Sequence, residues 1–479
     1  MNKLNRASGV LMHITSLWGG YSCGTFGDAA KEFVDFLSDC GFTYWQVLPF
    51  CPVDDYNSPY KSYSTFAGNP FMLDLCILFD KNLLTHAELE QARQTTPYSC
   101  EFERLRSERY SLLKKAAERT ENKAEIESFI SENPYISDFC EFMALKEANE
   151  LKPWWEWAVL TPDPDVLFMW KFIQFEFFKQ WSEIRSYANS KGIKIIGDIP
   201  FYVALDSSDV WRSKEQFMLD EKNVPKCVAG VPPDYFAEDG QLWGNPIYNW
   251  AEMKKNDYKW WCDRIGAMLD LFDGVRIDHF RAMQSFWAVP YGEETARNGK
   301  WENGPGMNLI SKIKEIAKDA LIIAEDLGDI DEAVVRLVEE SGFPGMRIFQ
   351  FGFMGGDSTH KPHNYHNNCI AYSGTHDNNT LLGYLWELGD DNRREMLKYC
   401  GYESSDWERG FDSMLRTIYQ SSAGIVIFPI QDLLVYGSDT RLNTPGKADG
   451  NWSFRITKEQ LLSIDKEKFK KFNYLFNRK

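Results

Sequence analysis

Eight short apolar runs recur along the chain, at 10–13, 44–49, 194–198, 274–278, 321–325, 346–350, 370–373 and 425–429. Near-continuous apolar runs mark strands buried on both faces of a parallel sheet. Helical periods stand between them. Residues 28–40 place Phe33, Val34, Phe36 and Leu37 on one face and stop at Gly41; residues 331–341 do the same with Val334, Val335, Leu337 and Val338 and stop at Gly342. Glycine after the last turn is a common helix stop. Eight buried strands alternating with helices predict an α/β fold, a (β/α)8 barrel rather than an open sheet.

Two intervals are too long for one helix each. Residues 51–193 follow the second run, and residues 201–273 follow the third. The first carries Phe102, Leu105, Leu112, Leu113 and Ala116 at helical spacing, then Ile126, Phe129 and Ile130 before Pro134. Its charged face is read as a solvated exterior with no chemical role. The second holds Pro, Gly and aromatic residues at 230–250 and reads as ordered loops. The expectation is one catalytic barrel over 1–479, with a mainly helical subdomain inserted at 55–165 and a loop-rich subdomain at 201–258 over the active site. No repeat, low-complexity tract, separate C-terminal β-domain or starch-binding module is expected.

Composition narrows the function classes. The 479 residues carry a net charge of −17, which disfavours a nucleic-acid binder. A hydrophobic fraction of 44% with 26% charged residues suits a soluble globular protein. No run approaches the roughly 20 apolar residues of a membrane span. Lys3 and Arg6 before Val10-Leu11-Met12 imitate a signal peptide faintly, but His13, Thr15 and Ser16 interrupt the run. Ten cysteines, with no CxxC pair and no zinc spacing, suit reduced thiols and a cytoplasmic location. Aromatic residues reach 15%; a large core accounts for most of them, and the alternative for the rest is a groove for flat, semi-apolar ligands such as sugars.

The chemistry is expected where the strands end, because barrel active sites sit at the C-terminal mouth. Asp198 ends the third run, Asp278 the fourth and Glu325 the fifth, and Asp377 lies just past the seventh. A single such Asp is often a helix N-cap; four on separate strands converge on one mouth. Clustered carboxylates suit divalent metal binding, glycosidic bond cleavage or a shared-proton dyad. Arg276 precedes Asp278 by two residues, so both project from one face of the strand. A cation beside a carboxylate favours the ionised form, which suits a nucleophile. His279 and His376 each adjoin an acid, and no EF-hand or HExxH pattern accompanies them.

The stretches Val275-Arg276-Ile277-Asp278-His279-Phe280-Arg281, Ala324-Glu325-Asp326-Leu327-Gly328 and Gly374-Thr375-His376-Asp377-Asn378 resemble the signatures of 4-α-glucanotransferases. These are the amylomaltases of glycoside hydrolase family 77 in the α-amylase superfamily. The resemblance runs almost end to end, through Asn57-Ser58-Pro59-Tyr60, 66–70, 197–203, 230–236, 241–246 and 441–446. Ile14 and Ala282 depart from the family pattern without touching the acids.

The resemblance implies that Asp278 is the nucleophile, Glu325 the general acid/base, and Asp377 the acid that binds sugar hydroxyls and helps distort the ring. It makes Arg276 the residue that positions the nucleophile, and His376 a contact to the same sugar. Further candidate contacts are Tyr60, Asp198, Asp234, Tyr235, Phe236, Gln241, Trp243, Asn245, His279 and Asn443. Tyr235, Phe236 and Trp243 are read as an aromatic loop over the acceptor side that keeps water from the intermediate. Trp45 and Trp154, Trp155 and Trp157 are read as packing.

The implied reaction moves segments of α-1,4-glucans from donor to acceptor maltooligosaccharides by double displacement, which needs carboxyls about 5–5.5 Å apart. It implies no cofactor and no metal. A monomer or homodimer is expected, with no nucleic-acid or membrane partner. An α-glucan hydrolase and a non-catalytic glucan-binding protein are the alternatives.

Overall fold

The computed structural model describes residues 4–233, 238–356, 358–404, 407–447 and 449–479. In chain order its strands are β1 (Ala7–Leu11), β2 (Tyr44–Gln46), β3 (Lys194–Ile199), β4 (Cys227–Val231), β5 (Gln241–Pro246) and β6 (Gly274–Ile277). They continue as β7 (Ser285–Pro290), β8 (Lys300–Asn303), β9 (Leu321–Ala324), β10 (Gly345–Ile348), β11 (Cys369–Tyr372) and β12 (Ile425–Pro429). Eight of them close a parallel barrel in the order β1-β12-β11-β10-β9-β6-β3-β2. These are the eight runs read from the sequence. The first lies further toward the N-terminus than expected because Ser8 belongs to it. The Ser8 hydroxyl donates to Asn473 Oδ1 at 2.5 Å, and that small residue lets helix Lys466–Leu475 lie against the barrel wall.

Alternate residues of each strand point inward. Leu11, Ile196, Ile323, Met346, Ile348, Ile370, Tyr372, Ile425 and Ile427 form one buried cluster inside the barrel. The Tyr372 hydroxyl, fully enclosed, donates to Gln46 Oε1 at 2.9 Å. The same alternation lifts Asp198 and Arg276 above this apolar plug toward the C-terminal mouth. Between β10 and β11 the described residues form 3-10 turns, Phe349–Phe353 and Pro362–Asn364, in place of an outer α-helix.

Between β2 and β3 the chain builds a helical lobe and returns through helix Pro164–Ser190. Aromatic edges join that helix to the barrel: Phe50 meets Trp181 at 4.6 Å and Phe272 at 5.0 Å, both edge-on. Much of the aromatic content is spent in such seams.

The interval 201–258, expected to be loop-rich, carries β4 and β5. β4 pairs antiparallel with β5 on one side and β7 on the other, and β7 with β8; β7 and β8 follow β6, and the four form a sheet of order β5-β4-β7-β8. The sequence concealed this sheet for two reasons. β5 contains Gly244 and Pro246 and is half exposed, so it lacks a clean alternation. The central pair joins Cys227–Gly230 to Trp287–Pro290 across another barrel strand, beyond the reach of local pattern. Beneath this lobe, the buried Arg264 donates to Phe201 O at 3.0 Å, Thr65 Oγ1 at 2.7 Å and Pro200 O, fixing the turn that leaves β3.

Among the described residues, no helix is long and apolar enough to cross a membrane.

β3 is seated closely on its covering helices. A methyl group at Gly197 would lie 2.2 Å from the Phe272 ring. We expect Gly197→Ala to destabilise the fold by about 1–3 kcal/mol through overpacking, read as a lowered thermal unfolding midpoint.

Candidate active site

The acids converge because of strand register. In the β3–β6 pair Asp198 stands opposite Arg276, and in the β6–β9 pair Ile277 stands opposite Ala324. The next residues, Asp278 and Glu325, therefore leave adjacent strands side by side. Neighbouring strands lie about 4.8 Å apart, which sets the scale of their separation. Backbone bonds continue the ladder past the strand ends, with Glu325 N donating to Ile277 O at 3.1 Å and Phe280 N to Glu325 O at 3.1 Å.

One guanidinium organises the floor. Arg276 Nη1 donates to both oxygens of Asp198 at 2.8 Å, and Nη2 meets Asp278 Oδ1 at 2.8 Å. Nε points at Met346 Sδ, 3.4 Å away. Asp198 also accepts from the Tyr60 hydroxyl at 2.7 Å. Burial opposes charge on Arg276, but Asp198 and Asp278 outweigh it and hold the guanidinium firmly cationic. Burial, then the Asp198 charge, push the Tyr60 phenol well above its ordinary range, so it remains a donor. Removing one partner of such a buried pair costs about 3–5 kcal/mol. Asp278 itself is open to the cleft, with 30% of its side-chain surface exposed.

Glu325 has the opposite setting. It is buried, and its carboxyl accepts from His279 N at 2.7 Å and Leu327 N at 2.9 Å. Burial raises its pKa to about 8; Arg276 and the two N–H groups oppose the rise, and the Asp278 charge adds to it. A carboxyl still protonated at neutral pH is a proton donor in waiting. His279 supplies that backbone N–H from a left-handed conformation, φ +48°. Its ring is pushed down to about 4, chiefly by burial, and packs edge-on against Trp243 at 4.8 Å.

Asp377 forms the third corner. Burial opposes its ionisation, yet His376, Asn443 and Arg276 outweigh that and hold it at about 2. His376 Nε2 lies 3.2 Å from Asp377 Oδ2, and Asn443 Nδ2 donates to Oδ1 at 2.6 Å. Arg441 fastens the same residue by donating to its backbone carbonyl at 2.6 Å. The Tyr60 and His376 rings stack at 5.1 Å and 13°.

These groups border a cleft of about 370 Å³. Tyr60, Gln241, Trp243, Asn245, Asp278, His279, His376, Asp377 and Asn443 all line it. Asp198, Arg276 and Glu325 form the layer behind. Trp243, expected in a loop, lies instead on the strand β5 with Gln241 and Asn245, where antiparallel pairing with β4 holds it. There Trp243 Nε1 donates to Gln241 Oε1 at 3.1 Å, and Asn245 Nδ2 donates to Val203 O at 2.8 Å. Asp234, Tyr235 and Phe236 lie outside the described residues.

The cleft also includes Ser58, Lys61, Tyr202 and Trp452, which sequence reasoning had not singled out. Trp452 sits 5.9 Å from both Tyr60 and His376 and has φ +66°, unusual for so bulky a residue. No periodicity marks it; only the Gly450-Asn451 turn before it is a local signal. Among the described residues, no set of three or more His, Cys, Asp or Glu side chains is arranged to hold a metal ion.

A parallel barrel with a cleft-facing carboxylate, a buried and raised one beside it, and a cleft lined by aromatic and polar side chains fits the class of carbohydrate-active barrel enzymes. A family model described as 4-alpha-glucanotransferase matches residues 12–461. A 4-alpha-glucanotransferase of Clostridium butyricum is 43% identical over 470 residues, spanning 93% of this chain and 95% of its own. One of Streptococcus pneumoniae is 41% identical over 481 residues, spanning 95% and 94%. The solved amylomaltase of Streptococcus agalactiae in complex with acarbose matches with a TM-score of 0.94 at 38% identity, covering 99% of this chain and 100% of that one. The chain belongs to the 4-alpha-glucanotransferase family, transferases of the amylomaltase type.

A role for Glu325 as the proton donor requires its acid form when substrate arrives. We therefore expect kcat/KM for maltotriose to fall above about pH 8, approaching tenfold per pH unit, as deprotonation removes the acid. Initial rates across a buffer series from pH 6 to 10 check this; a profile flat to pH 10 contradicts it.

Proposed function

We propose that the cleft transfers α-1,4-glucan segments by a retaining double displacement, with the roles of its residues as follows. An Asp278 oxygen attacks the anomeric carbon of a bound donor. The bond to the leaving 4-oxygen breaks as Glu325 gives that oxygen its proton. The shortened glucan departs, leaving a glucosyl ester on Asp278 and an ionised Glu325. The 4-hydroxyl of an acceptor then attacks the same carbon, passes its proton to Glu325, and frees Asp278. Each acid ends as it began, and no cofactor enters the balance.

The observation that carries this reading is the pairing of environments: Asp278 open to the cleft on an Arg276 clamp, Glu325 buried and raised beside it. Asp377, ionised by its His376 and Asn443 contacts, is suited to grip two sugar hydroxyls and favour a flattened ring. The stacked Tyr60 and His376 rings offer an apolar face to the same sugar. Trp243, Gln241 and Asn245 form the facing wall, and His279 acts through its backbone N–H. Acarbose in the Streptococcus agalactiae relative supports an oligosaccharide ligand for this cleft. Tyr235 and Phe236, with Trp243, belong to this reading as residues that shield the ester from water, and Asp234 as a further sugar contact. The scattered cysteines support a reducing cytoplasm as the place of work.

Incubation with maltotriose tests the reading directly. Transfer gives glucose plus a ladder of longer maltooligosaccharides by chromatography, and proton NMR shows every new linkage in the α-configuration. Asp278→Asn should lower kcat/KM by roughly 10⁴-fold or more, and Glu325→Gln by about 10²–10⁴-fold. Products limited to glucose and maltose, or a fully active Asp278→Asn, would overturn it. Tyr235→Ala with Phe236→Ala should raise the ratio of hydrolysis to transfer; an unchanged ratio sinks the shielding role.

A further inference from the structure

The barrel has a weak seam beside Glu325. β6 pairs with β9 over four residues and β10 with β11 over four, but β9 and β10 share the single pair Ala324 and Gly345. Past that pair the side chain of Asp326 takes over the ladder. Its Oδ1 accepts from Met346 N at 2.6 Å, and its Oδ2 accepts from Arg347 Nη1 at 3.0 Å. Arg347 Nη1 also donates to Met346 O at 2.6 Å. Gly345 makes room: a Cβ there would fall 2.4 Å from Asp326 Oδ2. A carboxylate that replaces a missing strand bond, paired with an arginine and faced by a glycine whose Cβ would crowd it, is a built feature.

Two routes lead from Asp326 to the reacting groups. The next residue, Leu327, donates its N–H to Glu325 Oε1. Met346, whose backbone Asp326 holds, places its sulfur against Arg276 Nε, and Arg276 holds Asp278. We infer that Asp326, locked by Arg347, is a positioning residue for the acid/base: it fixes Leu327 N under Glu325 and Met346 under Arg276. The inference rests on Glu325 carrying the proton, as proposed above.

The charged neighbourhood gives the expected sign. Arg276 and Asp278 face Glu325 from the β6 side. Arg347 faces Asp326 from β10, with His360 and His366 beyond it and Glu339 at the rim. Releasing Leu327 N removes a donor to the ionised form of Glu325, so its pKa rises further. Arg347 also borders a second cavity of about 580 Å³, lined in part by Leu327, Phe343, His360 and His366, so small solutes can reach the pair from behind.

Asp326→Ala should lower kcat on maltotriose about 10–100-fold, the scale of an ångström of misplacement. KM should stay within about twofold, because the sugar contacts lie across the mouth, and the alkaline limb should move to higher pH. Asp326→Asn, which keeps an acceptor for Met346 N, should fall between wild type and Ala. A merely structural role would lower the folded fraction and leave the limb in place. That result, or an unchanged kcat, overturns the inference. Should Asp326→Ala not fold, Arg347→Ala carries the test. Its kcat should fall and recover several-fold with ethylguanidinium at tens of millimolar, and no recovery overturns the inference. Glu325→Gln in parallel separates the failures: if it is fully active, the reading of Glu325 fails; if it is inactive while Asp326→Ala is normal, only the positioning role fails.

Discussion

The Arg276 guanidinium is the interaction on which the site depends. It is buried at the top of the barrel plug, and its three nitrogens address Asp198, Asp278 and Met346. It ties Asp198 to Asp278 by giving each carboxyl its own nitrogen of one guanidinium. With it, a charged group rests on Ile196, Ile323 and Met346 at the end of an apolar interior. Tyr60 extends the arrangement into the cleft, because its hydroxyl binds Asp198 while its ring lines the cleft, stacked on His376. A residue that lines the cleft is thus anchored to the same cation as Asp278.

Environment, rather than residue type, separates the three acids. Glu325 is buried with two backbone donors and is raised; Asp377 is bonded to His376 and Asn443 and is lowered. The difference arises from where each chain segment goes next. After Glu325 the chain stays on the barrel rim, pinned to β6 and β10. After Asp377 it turns outward, and the segment with Arg441 and Asn443 closes over it. The raised acid is therefore set by the barrel, and the lowered one by a late loop.

The barrel was legible because parallel strands buried on both faces leave continuous apolar runs, and the acids were legible because strand ends converge. Asp198, Asp278 and Glu325 needed only strand order to be brought together. The sheet of β4, β5, β7 and β8 was not legible: its strands are short, β5 is half exposed, and its central pairing joins distant segments. Trp452 escaped for another reason. Its place beside Tyr60 and His376 comes from a left-handed turn in a loop, where no periodicity points. The role of Asp326 was equally hidden, since an acid after a strand reads as a cap until the partner strand is seen to lack its bonds.

This division of labour has a consequence for how the enzyme can vary. The chemical groups sit on strands whose register fixes them, and a shift of one residue in β6 would turn Arg276 and Asp278 out of the barrel together. The cleft walls come from elsewhere: Tyr60 from the turn after β2, Trp243 and Asn245 from β5, Asn443 and Trp452 from the segment after β12. Those segments touch the acids through side chains and single backbone bonds, not through the ladder. The cleft walls can therefore change without moving the carboxyls, provided the two wall residues bonded to the acids, Tyr60 on Asp198 and Asn443 on Asp377, keep their hydroxyl and amide.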